Sequence, residues 1–235
     1  MYNRNNYIEG NTLKFENKQL LIFDLDGTLI NSALDLALSV NKMLEQIGKE
    51  TFSEETIHDW VGNGALTLVS RALSGSRTIN ENLDDIFVQK ALDIFLNHYR
   101  NNLCNATLPY PHVIHTLDTL KNQYTFAIIT NKPFAFVEPI LKSLEMDGLF
   151  KLILGGDSLS QKKPHPMPLI YATEKLGVSI ENSVMIGDSK NDILAANACG
   201  MHSVGVTYGY NYGEDIGVHK PSVIINDFSE LLQIL

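Results

Sequence analysis

Asp24 and Asp26, one residue apart, follow directly on the apolar run Leu20-Leu21-Ile22-Phe23 and precede Gly27 and Thr28. Like charges this close cost free energy unless a cation or a shared proton offsets them. The pair points to a divalent metal and to two carboxylates with different tasks. An acidic loop capping a helix is the alternative that the pair alone leaves open. Three later stretches carry comparable side chains. Thr130-Asn131 ends the run 125–129, Lys163 stands in Lys162-Lys163-Pro164-His165-Pro166, and Asp188 and Asp192 follow the run 183–187. Taken singly, Thr130 reads as a turn hydroxyl, Lys163 as a solvated lysine and Asp188 or Asp192 as a helix cap.

The elements around these residues decide between the readings. A short apolar run without alternation suits a strand buried on both faces of a parallel sheet. Strands are expected over 20–23, 125–130, 151–154, 183–187, 203–206 and 222–225. Helical periodicity separates them over 111–122, 134–144, 166–176 and 191–199, with a last helix over 229–235. Strands alternating with helices of this length mean βαβ units. In a parallel sheet all carboxyl ends lie at one edge, where open α/β sheets bind ligands. Asp24, Asp26, Thr130 and Asp188 therefore converge there although they are far apart in sequence. Period-two geometry sends Asp24 and Asp26 to the same side if the segment stays extended.

The interval 33–105 is different. Ala33, Leu36, Ala37, Val40, Met43, Leu44 and Ile47 recur at helical spacing up to Gly48. Ser53 is a good N-cap with Glu54 and Glu55 in the favourable first turn. Gly62-Asn63-Gly64 breaks the pattern, a helix is expected over 65–73, and a long one over 81–100 carries Leu83, Phe87, Ala91, Ile94 and Phe95 on one side. The expected architecture is α/β: a Rossmann-like three-layer α/β/α core with a parallel sheet, over 20–32 and 106–235, plus an inserted all-helical cap over 33–105. Residues 1–19, polar and Asn-rich, are set apart as a flexible or edge-pairing extension.

Composition excludes several function classes. The net charge is -9, hydrophobic residues make up 44% and charged residues 19% of 235, which marks a globular chain. No Lys/Arg cluster beyond Lys162-Lys163 offers a nucleic acid a basic face. Cys104 and Cys199 are far apart, so reduced thiols and a cytoplasmic location are expected. There is no signal-peptide pattern and no apolar run long enough to span a bilayer.

Asp24-Leu25-Asp26-Gly27-Thr28, Thr130-Asn131, Lys163-Pro164 and Gly187-Asp188-Ser189 with Asp192 resemble, in order and spacing, the four motifs of the haloacid dehalogenase-like superfamily. The resemblance covers nearly all the chain from residue 20 onward. It implies a Rossmann-like core with a helical cap, and the second aspartate, Asp26, implies phosphoryl rather than dehalogenase chemistry. It further implies Mg²⁺ held by the side chains of Asp24 and Asp188 and the backbone carbonyl of Asp26. Asp24 is then the nucleophile, Asp26 the acid and base, Thr130, Asn131 and Lys163 the phosphate binders, and Asp192 a support behind them.

Val61-Gly62-Asn63-Gly64-Ala65, Arg71-Ala72-Leu73 and Gly209-Tyr210-Asn211-Tyr212-Gly213 are similar to the phosphoglycolate phosphatase branch. That resemblance makes Gly62, Asn63 and Gly64 a substrate loop and 2-phosphoglycolate the expected substrate, ahead of another small phosphate ester such as a sugar phosphate or nucleotide. A phosphomutase and a non-catalytic binding protein are the remaining alternatives. Arg71 reads either as a partner for a substrate carboxylate or as a solvated arginine, and Trp60 as cap packing. His165 stands where this branch more often has an aspartate. Monomer and homodimer are not distinguished.

Overall fold

The computed structural model describes residues 14–235. The first strand β1 (Leu20–Phe23) leads through the two-residue strand β2 (Ile30–Asn31) into four helices: α1 (Ala33–Gln46), α2 (Glu54–His58), α3 (Ala65–Ser74) and α4 (Asp85–Asn101). The two-residue strand β3 (Leu108–Pro109) returns the chain to α5 (Val113–Leu120), β4 (Thr125–Ile129), α6 (Val137–Ser143), β5 (Leu152–Leu154) and α7 (Met167–Leu176). Then follow β6 (Ser183–Gly187), α8 (Lys190–Cys199), β7 (His202–Val206), β8 (Val223–Ile225) and α9 (Leu231–Ile234). Six strands form one sheet in the order β5-β4-β1-β6-β7-β8, each pair parallel.

β1 lies at the centre, with Phe23 opposite Ile128 of β4 on one side and Ile186 of β6 on the other. Its four residues are fully buried because both faces are covered. Leu21 and Phe23 join a cluster with Val113 and Leu117 of α5 and Val137 and Ile140 of α6. Leu20 and Ile22 join the opposite cluster with Leu169 of α7 and Ala195 and Ala196 of α8. This alternation produces the three layers expected from the sequence.

The helices α1 to α4 lie between two chain crossings that pair with each other: Asn31 of β2 faces Leu108 of β3 in an antiparallel ribbon. Asp35, fully buried in the first turn of α1, clasps the returning chain. Its carboxylate accepts from the Thr107 backbone N–H at 2.8 Å, the Thr107 hydroxyl at 2.6 Å and the Ala106 N–H at 3.0 Å. Ser53 caps α2 as expected, accepting from Thr56 N–H at 3.2 Å. Trp60 is buried with its ring edge-on to Phe52, centroids 5.0 Å apart.

Two expectations are corrected. The long cap helix begins at Asp85, not at 81, because Asp84 takes the N-cap and its carboxylate accepts from Phe87 N–H at 2.7 Å. The segment before β1 is not wholly an extension. Phe15 is buried, its N–H donates to Ile234 C=O at 2.7 Å, and Gln19 already joins the ladder by accepting from Thr125 N–H at 2.8 Å. Residues 1–13 of that expected extension lie outside the described residues.

Candidate active site

The registers of β1, β4 and β6 bring three strand ends side by side, and the site is built from the residues that leave them. Asp24, after β1, is buried; its Oδ1 lies 3.0 Å from Lys163 Nζ and accepts from Leu25 N–H at 2.7 Å. Lys163 reaches this point from the loop between β5 and α7. It is 1% exposed, donates to Asp192 Oδ1 at 2.6 Å and also binds the Ile129 carbonyl at the end of β4. The other oxygen of Asp192 accepts from the Ser189 N–H at 3.0 Å and hydroxyl at 2.9 Å. With both oxygens committed, Asp192 orients Lys163.

Asp188, after β6, accepts from the Thr28 hydroxyl at 2.9 Å and the Tyr210 N–H at 2.7 Å. Two glycines make room for it. A Cβ at Gly27, where φ is +89°, would stand 2.2 Å from Asp188 Oδ2, and one at Gly209 would stand 2.1 Å from Asp188 Cβ. No side chain other than hydrogen fits at either place. Glycine next to the second aspartate is thus required by the third carboxylate as well as by the turn.

Carboxylate oxygens of Asp24, Asp188 and Asp192 lie within 4.8 Å of one another. Burial, opposed by Lys163 and aided by Asp192, pushes the Asp24 carboxyl up to about 7. Burial, then Asp192 and Asp24, hold Asp188 well above the usual carboxylate range. Burial works against the Lys163 ammonium, but Asp192 and Asp24 outweigh it and keep the pKa above its ordinary value. Three carboxylates facing one ammonium leave an excess of negative charge in a dry place. Hard oxygen donors with that excess fit a divalent cation, and Asp192, committed to Lys163 and Ser189, leaves Asp24 and Asp188 as the freer donors.

Asp26 has different partners. The chain turns at Gly27, whose N–H donates to Ile30 C=O at 2.9 Å, so the extended geometry expected for both aspartates ends at Asp26. Asp26 accepts from Lys132 Nζ through both oxygens, at 2.7 and 2.9 Å, and from the Ser32 hydroxyl. Asp24, Asp26, Thr130, Asn131 and Lys132 nevertheless line one pocket. Thr130 is buried, its hydroxyl accepting from Lys132 N–H at 3.2 Å.

The pocket is roofed by residues of the helical insert. Gly62 and Gly64 line it. The Gly62 carbonyl accepts from the side-chain amides of Asn131 and Asn191, each at 3.2 Å. The Asn63 side chain does not line the pocket: its Oδ1 accepts from the Tyr212 hydroxyl at 2.6 Å, and its carbonyl from Lys162 Nζ at 2.8 Å. Arg71 is neither solvated freely nor aimed at the pocket, since it donates to the carbonyls of Trp60 at 2.6 Å and Arg77 at 3.1 Å. His165 turns to the N-terminus of α7, accepting from Met167 N–H at 3.1 Å, and leaves Lys163 undisturbed.

Strand order brought Asp24, Asp26, Thr130 and Asp188 to one edge and the family resemblance added Lys163 and Asp192; the structure has all six close to that edge. Sequence reasoning missed Lys132, Thr28, Ser32 and Tyr210. Lys132 could have been found as the next residue after Thr130-Asn131, still within the loop that leaves β4.

The haloacid dehalogenase-like hydrolase family model matches residues 21–206. The chain is 54% identical to a phosphoglycolate phosphatase of Colwellia psychrerythraea over 94% of this chain and 98% of that protein. It is 45% identical to a phosphoglycolate phosphatase of Haemophilus influenzae over 92% of this chain and 98% of that protein. A crystal structure described as a predicted phosphoglycolate phosphatase from Haemophilus somnus superposes with a TM-score of 0.86 at 41% identity, covering 93% of this chain and 98% of that one. The strand-end constellation and these matches together show that the chain belongs to the haloacid dehalogenase-like hydrolase family, on its phosphatase side.

Proposed function

We propose that this protein is a Mg²⁺-dependent phosphomonoester hydrolase that works through an aspartyl phosphate and converts 2-phosphoglycolate to glycolate and phosphate. The observation that carries the proposal is the division of labour between two aspartates of one strand end. Asp24 is buried against Lys163 and near Asp188, while Asp26 is held apart by Lys132 and Ser32. The relatives' names support the substrate, and the pocket supports its size. Beyond the polar floor the walls are Leu36, Leu68, Phe95 and Phe136, which offer a hydroxyl-rich sugar no hydrogen bonds.

In this reading Asp24 Oδ attacks phosphorus as the bond to the leaving oxygen breaks. Asp26 gives a proton to that oxygen and glycolate departs. Asp26 then takes a proton from the water that attacks the aspartyl phosphate, releasing phosphate and restoring Asp24. Lys163, the Thr130 hydroxyl and the Asn131 backbone face the phosphoryl oxygens, and Asp192 keeps Lys163 in place. A bound Mg²⁺, held by the side chains of Asp24 and Asp188 and the Asp26 carbonyl, supplies the positive charge that lets a carboxylate approach a phosphate dianion.

The catalytic core comprises 20–32 and 106–235 and the cap 33–105, which closes to exclude water, with Gly62, Asn63 and Gly64 forming its contact with the core. The partner is a small phosphorylated metabolite, with no nucleic acid and no membrane, in the cytoplasm; among the described residues no helix is long and apolar enough to cross a membrane. Turnover of p-nitrophenyl phosphate with Mg²⁺ and none in excess chelator is expected. Rapid acid quench with labelled substrate places the label on Asp24. In a panel of phosphate esters 2-phosphoglycolate has the highest kcat/KM; a higher value for a hexose phosphate or nucleotide would overturn the substrate and leave the phosphatase chemistry.

A further inference from the structure

The pocket's lining contains a single cation among the described residues, Lys132, and beside it the hydroxyl of Tyr99, which finds no acceptor. Lys132 comes from the loop after β4 and Tyr99 from the last turns of α4, so one belongs to the floor and the other to the helical insert. Both side chains are buried: Lys132 is 5% and Tyr99 2% exposed. The Lys132 ammonium sits 4.9 Å from the centre of the Tyr99 ring. An ammonium has three N–H donors. Two point at the oxygens of Asp26, at 2.7 and 2.9 Å. The Tyr99 hydroxyl lies beside the Lys132 ammonium, and no acceptor stands before its own hydrogen. A buried hydroxyl without an acceptor is costly, and this one faces the pocket, where a ligand can supply the acceptor.

The structure assigns Lys132 and Tyr99 as the subsite for the carboxylate of the leaving group, Lys132 supplying the charge and Tyr99 an O–H donor from the helical insert beside it. This rests on the reading of the pocket as a 2-phosphoglycolate site. It gives that reading a physical means of preferring an acidic leaving group. Asp26 marks where the leaving oxygen must be, because it has to reach that oxygen with a proton. Lys132 is directly bonded to Asp26 and so lies on the leaving-group side of the phosphorus, opposite Lys163. The other basic side chains nearby are engaged elsewhere and do not line the pocket. Arg71 is spent on the carbonyls of Trp60 and Arg77, and Lys162 on that of Asn63. A carboxylate one methylene from the leaving oxygen would meet the Lys132 ammonium and accept from the Tyr99 O–H. Because its two halves come from two parts of the chain, the subsite is complete only while the helical insert is docked.

The test compares 2-phosphoglycolate with 2-hydroxyethyl phosphate, which has the same length and no carboxylate, in the full-length enzyme with Mg²⁺. The wild type is expected to prefer the acid. In Lys132→Gln and in Lys132→Met the preference, read as the ratio of the two kcat/KM values, falls by about 10- to 100-fold. Lys132→Arg retains most of it. Tyr99→Phe keeps the buried ring, removes one hydroxyl and lowers the ratio by ~3- to 10-fold.

Binding gives a readout independent of Asp26 chemistry. The inhibition constants of 3-phosphonopropionate and propylphosphonate, which differ by the carboxylate, converge in the Lys132 and Tyr99 variants. If turnover of both substrates falls equally and the inhibitor ratio stays at its wild-type value, Lys132 only positions Asp26 and the assignment is overturned. A wild type without preference for the acid overturns the substrate reading and the subsite together.

Discussion

The floor of the pocket and its roof are built in opposite ways. In the floor, Lys163 binds Asp24 and Asp192, and Asp188 stands within reach of both aspartates, all of them buried. The aspartates are fixed by strand ends or by a capped helix start, and Lys163 by the Asp24 and Asp192 carboxylates and the Ile129 carbonyl. In the roof, the segment around Gly62-Asn63-Gly64 touches the core through single hydrogen bonds from Asn131, Asn191, Tyr212 and Lys162. Breaking the floor means unpairing buried charges, whereas parting the roof gives up a few contacts that water can replace. The chemistry is placed where the fold is stiff, and admission of substrate where opening costs little.

The comparison is broken most severely at Asp24. Asp24→Ala is expected to lose roughly 10⁵-fold or more in kcat with any substrate, because the nucleophile is gone. Single-turnover acid quench should then recover no phosphoprotein. Asp26→Asn should lose ~10²- to 10⁴-fold with 2-phosphoglycolate, the usual worth of acid-base help. It should lose less in the first step with p-nitrophenyl phosphate, whose leaving group departs without a proton. Phosphoprotein should accumulate in that variant because the water has lost its base, and labelling with mass analysis of the peptide containing Asp24 checks this.

Metal binding sharpens the floor's side of the comparison. The Asp24 carboxyl is pushed up to about 7, so between pH 4 and 7 the metal-free folded state binds a proton that the unfolded chain has lost. Its contribution to stability is therefore present at low pH and is lost as pH rises through 7. A divalent cation competes with that proton. At a hundred times its Kd it stabilises by ~2.7 kcal/mol, a rise in Tm of roughly 5–10 °C for a chain of this size. The rise should be clear at pH 8 and small at pH 5, as differential scanning calorimetry would show.

The roof should respond least. Tyr212→Phe removes the hydrogen bond to Asn63 and one to Asn191. It should raise KM about 5- to 10-fold while kcat on bound substrate changes less, and hydrogen exchange at 62–64 should quicken. An equal loss in kcat would mean that the roof is part of the machinery and not only its door.

Much of the floor was legible in the sequence because strands dictate it. The apolar runs named the buried strands, and the parallel order made their carboxyl ends meet, so Asp24, Thr130 and Asp188 could be placed together without coordinates. The roof was less legible. Arg71 looked free to meet a substrate carboxylate, but the turn before α3 brings the Trp60 carbonyl within 2.6 Å of it. Lys132 was passed over in the sequence because its partner Asp26 lies 106 residues away. Tyr99 falls on the apolar stripe of α4, where an aromatic side chain reads as packing, and only its hydroxyl, which finds no acceptor, shows otherwise. The start of α4 was misplaced because helical spacing in 81–84 does not reveal that Asp84 turns its carboxylate back onto Phe87.

The ribbon in which Asn31 faces Leu108 has a consequence for how such a protein can diversify. Entry to the helical segment and exit from it stand side by side, so everything between them can be exchanged as a cassette without altering the order of the six strands. A grafted replacement needs only to restore the two-strand splice and a clasp of the kind that Asp35 makes with Thr107. Lineages could acquire new leaving-group preferences by trading the cassette while inheriting the catalytic edge intact, and a chimera library cut at these two points would sample that history.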